Sequence, residues 1–237
     1  MALPKLDTPV FNLTLPISGD KIKYRPFLVK EEKILLVAKE ADDKDNNVDA
    51  IMQVVNNCII SDHDPDNWPI LDLEFAFIKM RAASVNNEVE VRYKDMDDKK
   101  SRDFLVDIGN IEIIYPEGHV NTFKIGDKYT VKLKYPTVKD LRSIAAIDMN
   151  DEDINASDMS LKIVSKSLHS VSDDTTVYDD FTEEEAMEFL GNLQQSEFEQ
   201  INTFMSTMPY YEYLIEYKND NGDDRKIRMR GIQDFFT

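Results

Sequence analysis

The sequence predicts an α+β fold, a helical core joined to antiparallel β-hairpins. Three observations carry that expectation. Val48, Ile51, Met52, Val55 and Ile59 fall on one face of a 3.6-residue period. Apolar and polar residues alternate on both sides of two polar turns, at residues 95–100 and 218–224. Thr182-Glu183-Glu184-Glu185 and Ser196-Glu197-Phe198-Glu199 have the hydroxyl and third-residue carboxylate of a capping box.

Taken in order, residues 1–25 read as an extended N-terminal arm. Pro4, Pro9 and Pro16 punctuate it, and Phe11, Leu13 and Leu15 alternate with Val10, Asn12 and Thr14. Pro26 suits a helix start, and the stretch from Val29 to Ala38 is rich in helix formers. Acidic, Asn-rich residues 40–47 read as a solvated loop. A helix then covers 48–59. Another runs from about Trp68 to Ser84, with Leu71, Phe75, Ile78 and Ala82 on one face and Leu73, Phe77 and Met80 on the other. A helix apolar all round belongs in the centre of a core.

Val89, Val91 and Tyr93 alternate with Glu88, Glu90 and Arg92, and Phe104, Val106 and Ile108 alternate after the turn, so 88–108 reads as a hairpin. Strands are expected at 111–115 and 129–135, and a helix at 137–147. An acidic loop at 148–158, a helix at 159–168 and a second acidic loop at 170–180 follow. The two capped helices and a final hairpin, 210–217 with 225–230, complete the chain. This divides it into the arm 1–25, a first helix–hairpin module 26–115 and a second strand/helix–hairpin module 116–237. The hairpins echo one another, Tyr93-Lys94-Asp95 against Tyr217-Lys218-Asn219. Each turn is acidic then basic, which raises the possibility of a duplicated module.

Composition narrows function by exclusion. The chain has 237 residues, 42% of them hydrophobic, which is enough apolar material for a packed core. It carries 28 Lys and Arg against 46 Asp and Glu, a net charge of −18. Such a surface repels nucleic acid and anionic lipid. One Cys, in an apolar setting at Cys58, excludes an intrachain disulfide and a multi-cysteine zinc site. Without an apolar run near the ~18 residues of a membrane helix, and with an N-terminus unlike a signal peptide, the expected location is the cytoplasm.

Chemistry finds no foothold. His63, His119 and His169 are isolated, and the seven glycines never cluster into a phosphate-binding loop. Aligning Gly222 with the turn glycine of a calcium loop puts Tyr217 and Arg228 at its first and last ligand positions, and the match fails. The expectation is therefore no enzyme, no cofactor, no metal and no small-molecule substrate. What stands out is apolar material near the chain ends: Phe11, Leu13 and Leu15 in the arm, and Ile232, Phe235 and Phe236 at the C-terminus. These are candidate partner-binding residues; the competing reading packs them on their own domain.

Tyr24-Arg25-Pro26-Phe27-Leu28-Val29-Lys30-Glu31-Glu32-Lys33-Ile34-Leu35-Leu36, Arg81-Ala82-Ala83-Ser84-Val85 with its following hairpin, and the ending Gly231-Ile232-Gln233-Asp234-Phe235-Phe236 together resemble the baseplate hub and hub-assembly proteins of T-even-like contractile-tailed bacteriophages. The resemblance covers most of residues 20–237, and its Pro-Phe-Leu-Val-Lys-Glu-Glu-Lys block is its most specific part. It implies a non-enzymatic late protein that helps build the baseplate hub in the host cytoplasm, next to hub and tape-measure proteins, and self-association is possible. Whether it stays in the virion or leaves as a dissociating chaperone is open. A third reading, an acidic DNA mimic, requires carboxylates in phosphate-like rows, whereas the carboxylates here cluster in loops.

Overall fold

The computed structural model describes residues 7–41, 44–84, 87–145 and 156–232. Its chain forms two compact units, Met1–Ile114 with Tyr210–Thr237, and Tyr115–Pro209. The fold is α+β, as the periodicities require, with seven helices and eleven antiparallel strands among the described residues.

In unit 1, β1 (Phe11–Thr14) and β2 (Lys21–Tyr24) form a hairpin, so residues 11–24 are a folded ribbon and not an extended arm. The turn between them is fastened from outside. Asp72, fully buried, accepts the N–H groups of Ile17 (2.8 Å) and Ser18 (2.9 Å). Three helices follow: α1 (Val29–Ala41), α2 (Lys44–Cys58) and α3 (Ile70–Ser84). In place of the loop expected at 40–47, the described residues are helical: Glu40 and Ala41, good helix formers, end α1, and residues 44–47 open α2. α3 is the central helix foreseen from its two apolar faces, burying Leu71, Leu73, Ala76, Phe77, Ile78 and Met80.

Beyond α3 stands the hairpin β3 (Glu88–Lys94) and β4 (Ser101–Asp107). The last hairpin, β10 (Tyr210–Lys218) and β11 (Asp224–Met229), extends to a third strand through β5 (Glu112–Ile114), which pairs with Tyr210–Glu212. The sequence division placed all of 116–237 together. Pairing of β10 with β5 instead returns 210–237 to the first unit. The inner faces of both hairpins meet α3 in one core, where Val91, Val106 and Ile108 join Tyr211, Ile215 and Met229.

The echo between the hairpins is real at their turns. Asp95 accepts the Asp97 N–H, and Asn219 accepts those of Asn221 and Asp223. Both side chains are buried at the same step of their hairpins. The left-handed residue is Lys99 (φ 63°) in one turn and Gly222 (φ 88°) in the other. A helix–hairpin module is not duplicated as a compact body, because the helix that precedes β10 packs in the other unit.

Unit 2 is a four-stranded sheet, β6 (Thr122–Ile125), β7 (Tyr129–Leu133), β8 (Leu168–Ser172) and β9 (Val177–Tyr178), with helices α4 (Val138–Ala145), α5 (Ala156–Ser167), α6 (Glu183–Gly191) and α7 (Gln195–Ser206). Phe123, Val131, Leu133 and Val171 from the sheet pack with Val164, Leu190, Ile201 and Phe204 from α5, α6 and α7. The expected acidic loop at 170–180 is a β-turn between β8 and β9. Asp173 makes it by accepting the N–H groups of Thr175 and Thr176, both at 2.9 Å. Most of the loop expected at 148–158 lies outside the described residues.

α6 starts with the capping box read from the sequence. Thr182 Oγ1 accepts the Glu185 N–H (3.2 Å), and Glu185 accepts the Thr182 N–H (2.8 Å). α7 starts two residues earlier than Ser196 would allow, with Glu197 accepting the Gln194 N–H (2.9 Å). Thr182→Ala is expected to cost about 1 kcal/mol, seen as a lower urea midpoint for unit 2.

Candidate functional site

The segment 24–36 builds the N-terminal end of α1 by a closed set of polar contacts. Tyr24 leaves β2 and bridges to Ile59, which places Arg25 beside the end of α2. Arg25 then donates to both Glu31 oxygens (3.0 and 3.2 Å), to the Asn57 carbonyl (2.8 Å) and to the Pro26 carbonyl (2.9 Å). Glu31 accepts the Leu28 N–H (2.8 Å), closing the first turn of α1 as the carboxylate of a capping box does. Burial alone would raise the Glu31 pKa, but Arg25 and the Leu28 N–H outweigh it and hold the carboxyl below its ordinary range. Phe27 completes the seat. Its ring lies 5.4 Å from that of Phe77, and its N–H donates to Ser84 Oγ (2.6 Å).

With Glu31 and Ala38 turned inward, α1 shows the opposite side to solvent. Val29 is 81% exposed, Leu36 61% and Val37 57%. At positions i, i+7 and i+8 they make one apolar stripe, with exposed Lys33 and Glu40 along it. Scattered exposed apolar residues need no explanation, whereas several on one side of a short helix make a candidate contact surface. The stripe escaped the sequence reading because α1 has apolar residues on both faces. The recurrence of Val29, Leu36 and Val37 was the available signal.

The structure separates the six sequence candidates. Phe11 is 38% exposed and stacks on Tyr24 at 5.5 Å. Leu13, opposite Ile22, is half-buried, and Leu15 is buried in the core. Ile232 is buried as well, and its N–H points to the Glu74 carboxyl of α3. Burial pushes the Glu74 carboxyl up to about 7, against the opposing pull of the Ile232 backbone and the Tyr211 side chain. Phe235 and Phe236 lie outside the described residues. Among the described candidates, Phe11 and Leu13 retain surface for a partner, while Leu15 and Ile232 anchor their segments.

The hairpin tips hold the second polar constellation. Tyr217 donates to Asp95 (2.6 Å), and Arg102 bridges Asp98 and Asp220 (2.7 Å to the latter). Lys100 also pairs with Asp220, and Arg225 with Asp97. The Arg102 guanidinium holds Asp98 well below the usual carboxylate range. Charges that look like solvated turns in sequence thus bind one hairpin to the other.

Among the described residues, Cys58 and His119 are held in packed settings. Burial raises the Cys58 thiol to about 11, away from reactive thiolate. His119 sits between Thr207 Oγ1 (2.9 Å) and Tyr135 OH (2.7 Å) and stacks on Phe204 at 5.0 Å. Burial lowers its pKa, and the position suits a neutral imidazole that ties the segment after β7 to the C-terminal end of α7. A shallow depression beside Lys166 and Glu183 measures about 200 Å³, below the ~300–1,000 Å³ of ordinary ligand sites. Among the described residues, no group of three or more His, Cys, Asp or Glu is placed to hold a metal ion. No helix among them is long and apolar enough to cross a membrane.

Residues 8–237 match the family model described as T4 bacteriophage base plate protein. No curated protein and no solved structure matches the chain.

Proposed function

Starting from the fact that the chain belongs to the T4 bacteriophage base plate protein family, we propose that it is a non-enzymatic component or assembly factor of the baseplate hub of a contractile tail. It acts through protein–protein contacts with hub and tape-measure proteins, in the host cytoplasm during assembly. The observation that carries this reading is the exposed apolar surface of unit 1: the α1 stripe and, separately, Phe11 with Leu13 on β1. The C-terminal Phe235-Phe236 pair extends the same chemistry in sequence. Around these contacts the −18 charge limits unspecific association.

Co-purification tests the reading. The full chain is expected to retain hub or tape-measure protein at moderate salt, and Phe11→Ser is expected to weaken that capture without unfolding the chain. Binding to none of them argues against the proposal. Mass spectrometry of finished particles then separates two forms of it. Stoichiometric presence means a structural subunit, and absence means a dissociating chaperone.

A further inference from the structure

The exposed stripe of α1 carries its own charge complement. Val29, Lys33, Leu36 and Glu40 follow one line along the helix, with Val37 beside it. On this line the cation lies toward the N-terminal end and the carboxylate at the C-terminal end. Each is opposite to what the helix's own dipole favours. A second α1 running antiparallel reverses both. With a two-fold axis passing between Leu36 and Val37, Leu36 faces Val37 of the second copy, and Lys33 faces its Glu40. The pairs form twice, and dipoles and charges then complement each other.

We propose that α1 is a self-complementary docking helix, pairing antiparallel with α1 of a second copy of this chain. The contact is isologous, so it closes at a dimer and leaves no stripe free to propagate. It is also weak. Thirteen helical residues span only about 20 Å, and one such contact falls short of the roughly 800 Å² per partner of a stable interface. The net charge of −18 on each copy adds repulsion that salt screens. The pairing goes beyond the baseplate reading and stands or falls apart from it.

Sedimentation equilibrium of the full chain tests the proposal. A monomer–dimer equilibrium is expected with a Kd on the order of 100 μM at about 0.15 M salt, weaker at low salt. Leu36→Glu abolishes it. Lys33→Glu and Glu40→Lys each weaken it about tenfold or more, and the double variant recovers dimerisation. The charge swap is discriminating because Glu40→Lys lowers the net negative charge. If overall repulsion alone governed association, that variant would dimerise better. All these sites are solvent-exposed, so circular dichroism is expected to show an unchanged fold. A chain monomeric at about 1 mM, a dimer indifferent to Leu36→Glu, or a double variant that fails to recover would each overturn the pairing.

Discussion

Arg25→Ala is expected to destabilise unit 1 by about 3 kcal/mol or more, because it strands a buried carboxylate. Glu31 is fully buried and Arg25 nearly so, and the guanidinium supplies two of the hydrogen bonds that Glu31 receives. The same side chain also satisfies carbonyls at Asn57 and Pro26, so its loss releases β2, α1 and the end of α2 together. Urea denaturation checks this. The first unit's transition is expected to fall while that of unit 2 keeps its midpoint. Replacing both partners with Leu is expected to cost less than Arg25→Leu alone, since no buried charge then remains unpaired. If the double variant is the worse one, Glu31 acts chiefly through the Leu28 N–H and not through Arg25.

Glu74→Gln is expected to stabilise the chain above neutral pH. Glu74 has an ordinary pKa of 4.5, raised by burial to about 7 in the fold. A carboxyl with a raised folded pKa favours the folded state while protonated. Its contribution is whole below the unfolded value and is lost as pH rises through the folded one. A shift of this size corresponds to about 3 kcal/mol between roughly pH 4.5 and 7. Glutamine matches the carboxyl in size, keeps an acceptor oxygen for the Ile232 N–H and carries no charge. Variant and parent should match near pH 5 and diverge by pH 8, with the variant melting higher. Equal melting temperatures at pH 8 would show that Glu74 ionises without cost. Toward acid the sign reverses for Glu31, Asp95, Asp98 and Asp220, whose pKa values are depressed in the fold. Their support is lost as pH falls through those values.

The sequence is legible where one period or one cap decides the local structure. The capping box at Thr182, the two-faced helix α3 and both hairpins followed from patterns within a few residues. What was missed depended on contacts distant in sequence. Residues 11–24 fold back as a hairpin because Asp72, more than fifty positions away, holds their turn. The return of 210–237 to unit 1 rests on pairing between β5 and β10, which alternation cannot specify. Leu15 and Ile232 looked like docking residues because nothing local shows that each has a buried seat. The α1 stripe was hidden for the opposite reason. Its apolar residues looked like core until Arg25 and Glu31 fixed which side of the helix turns inward. The turn charges were legible as an acidic-then-basic pattern, but their mutual pairing required the fold.

A chain that builds baseplates by contact is required for their assembly. Electron microscopy of lysates from the encoding phage, with the chain removed by a stop codon, tests that requirement most directly. Baseplates and complete tails should be missing, and the wild-type chain supplied separately should restore them. Normal numbers of complete tails without the chain would contradict the account.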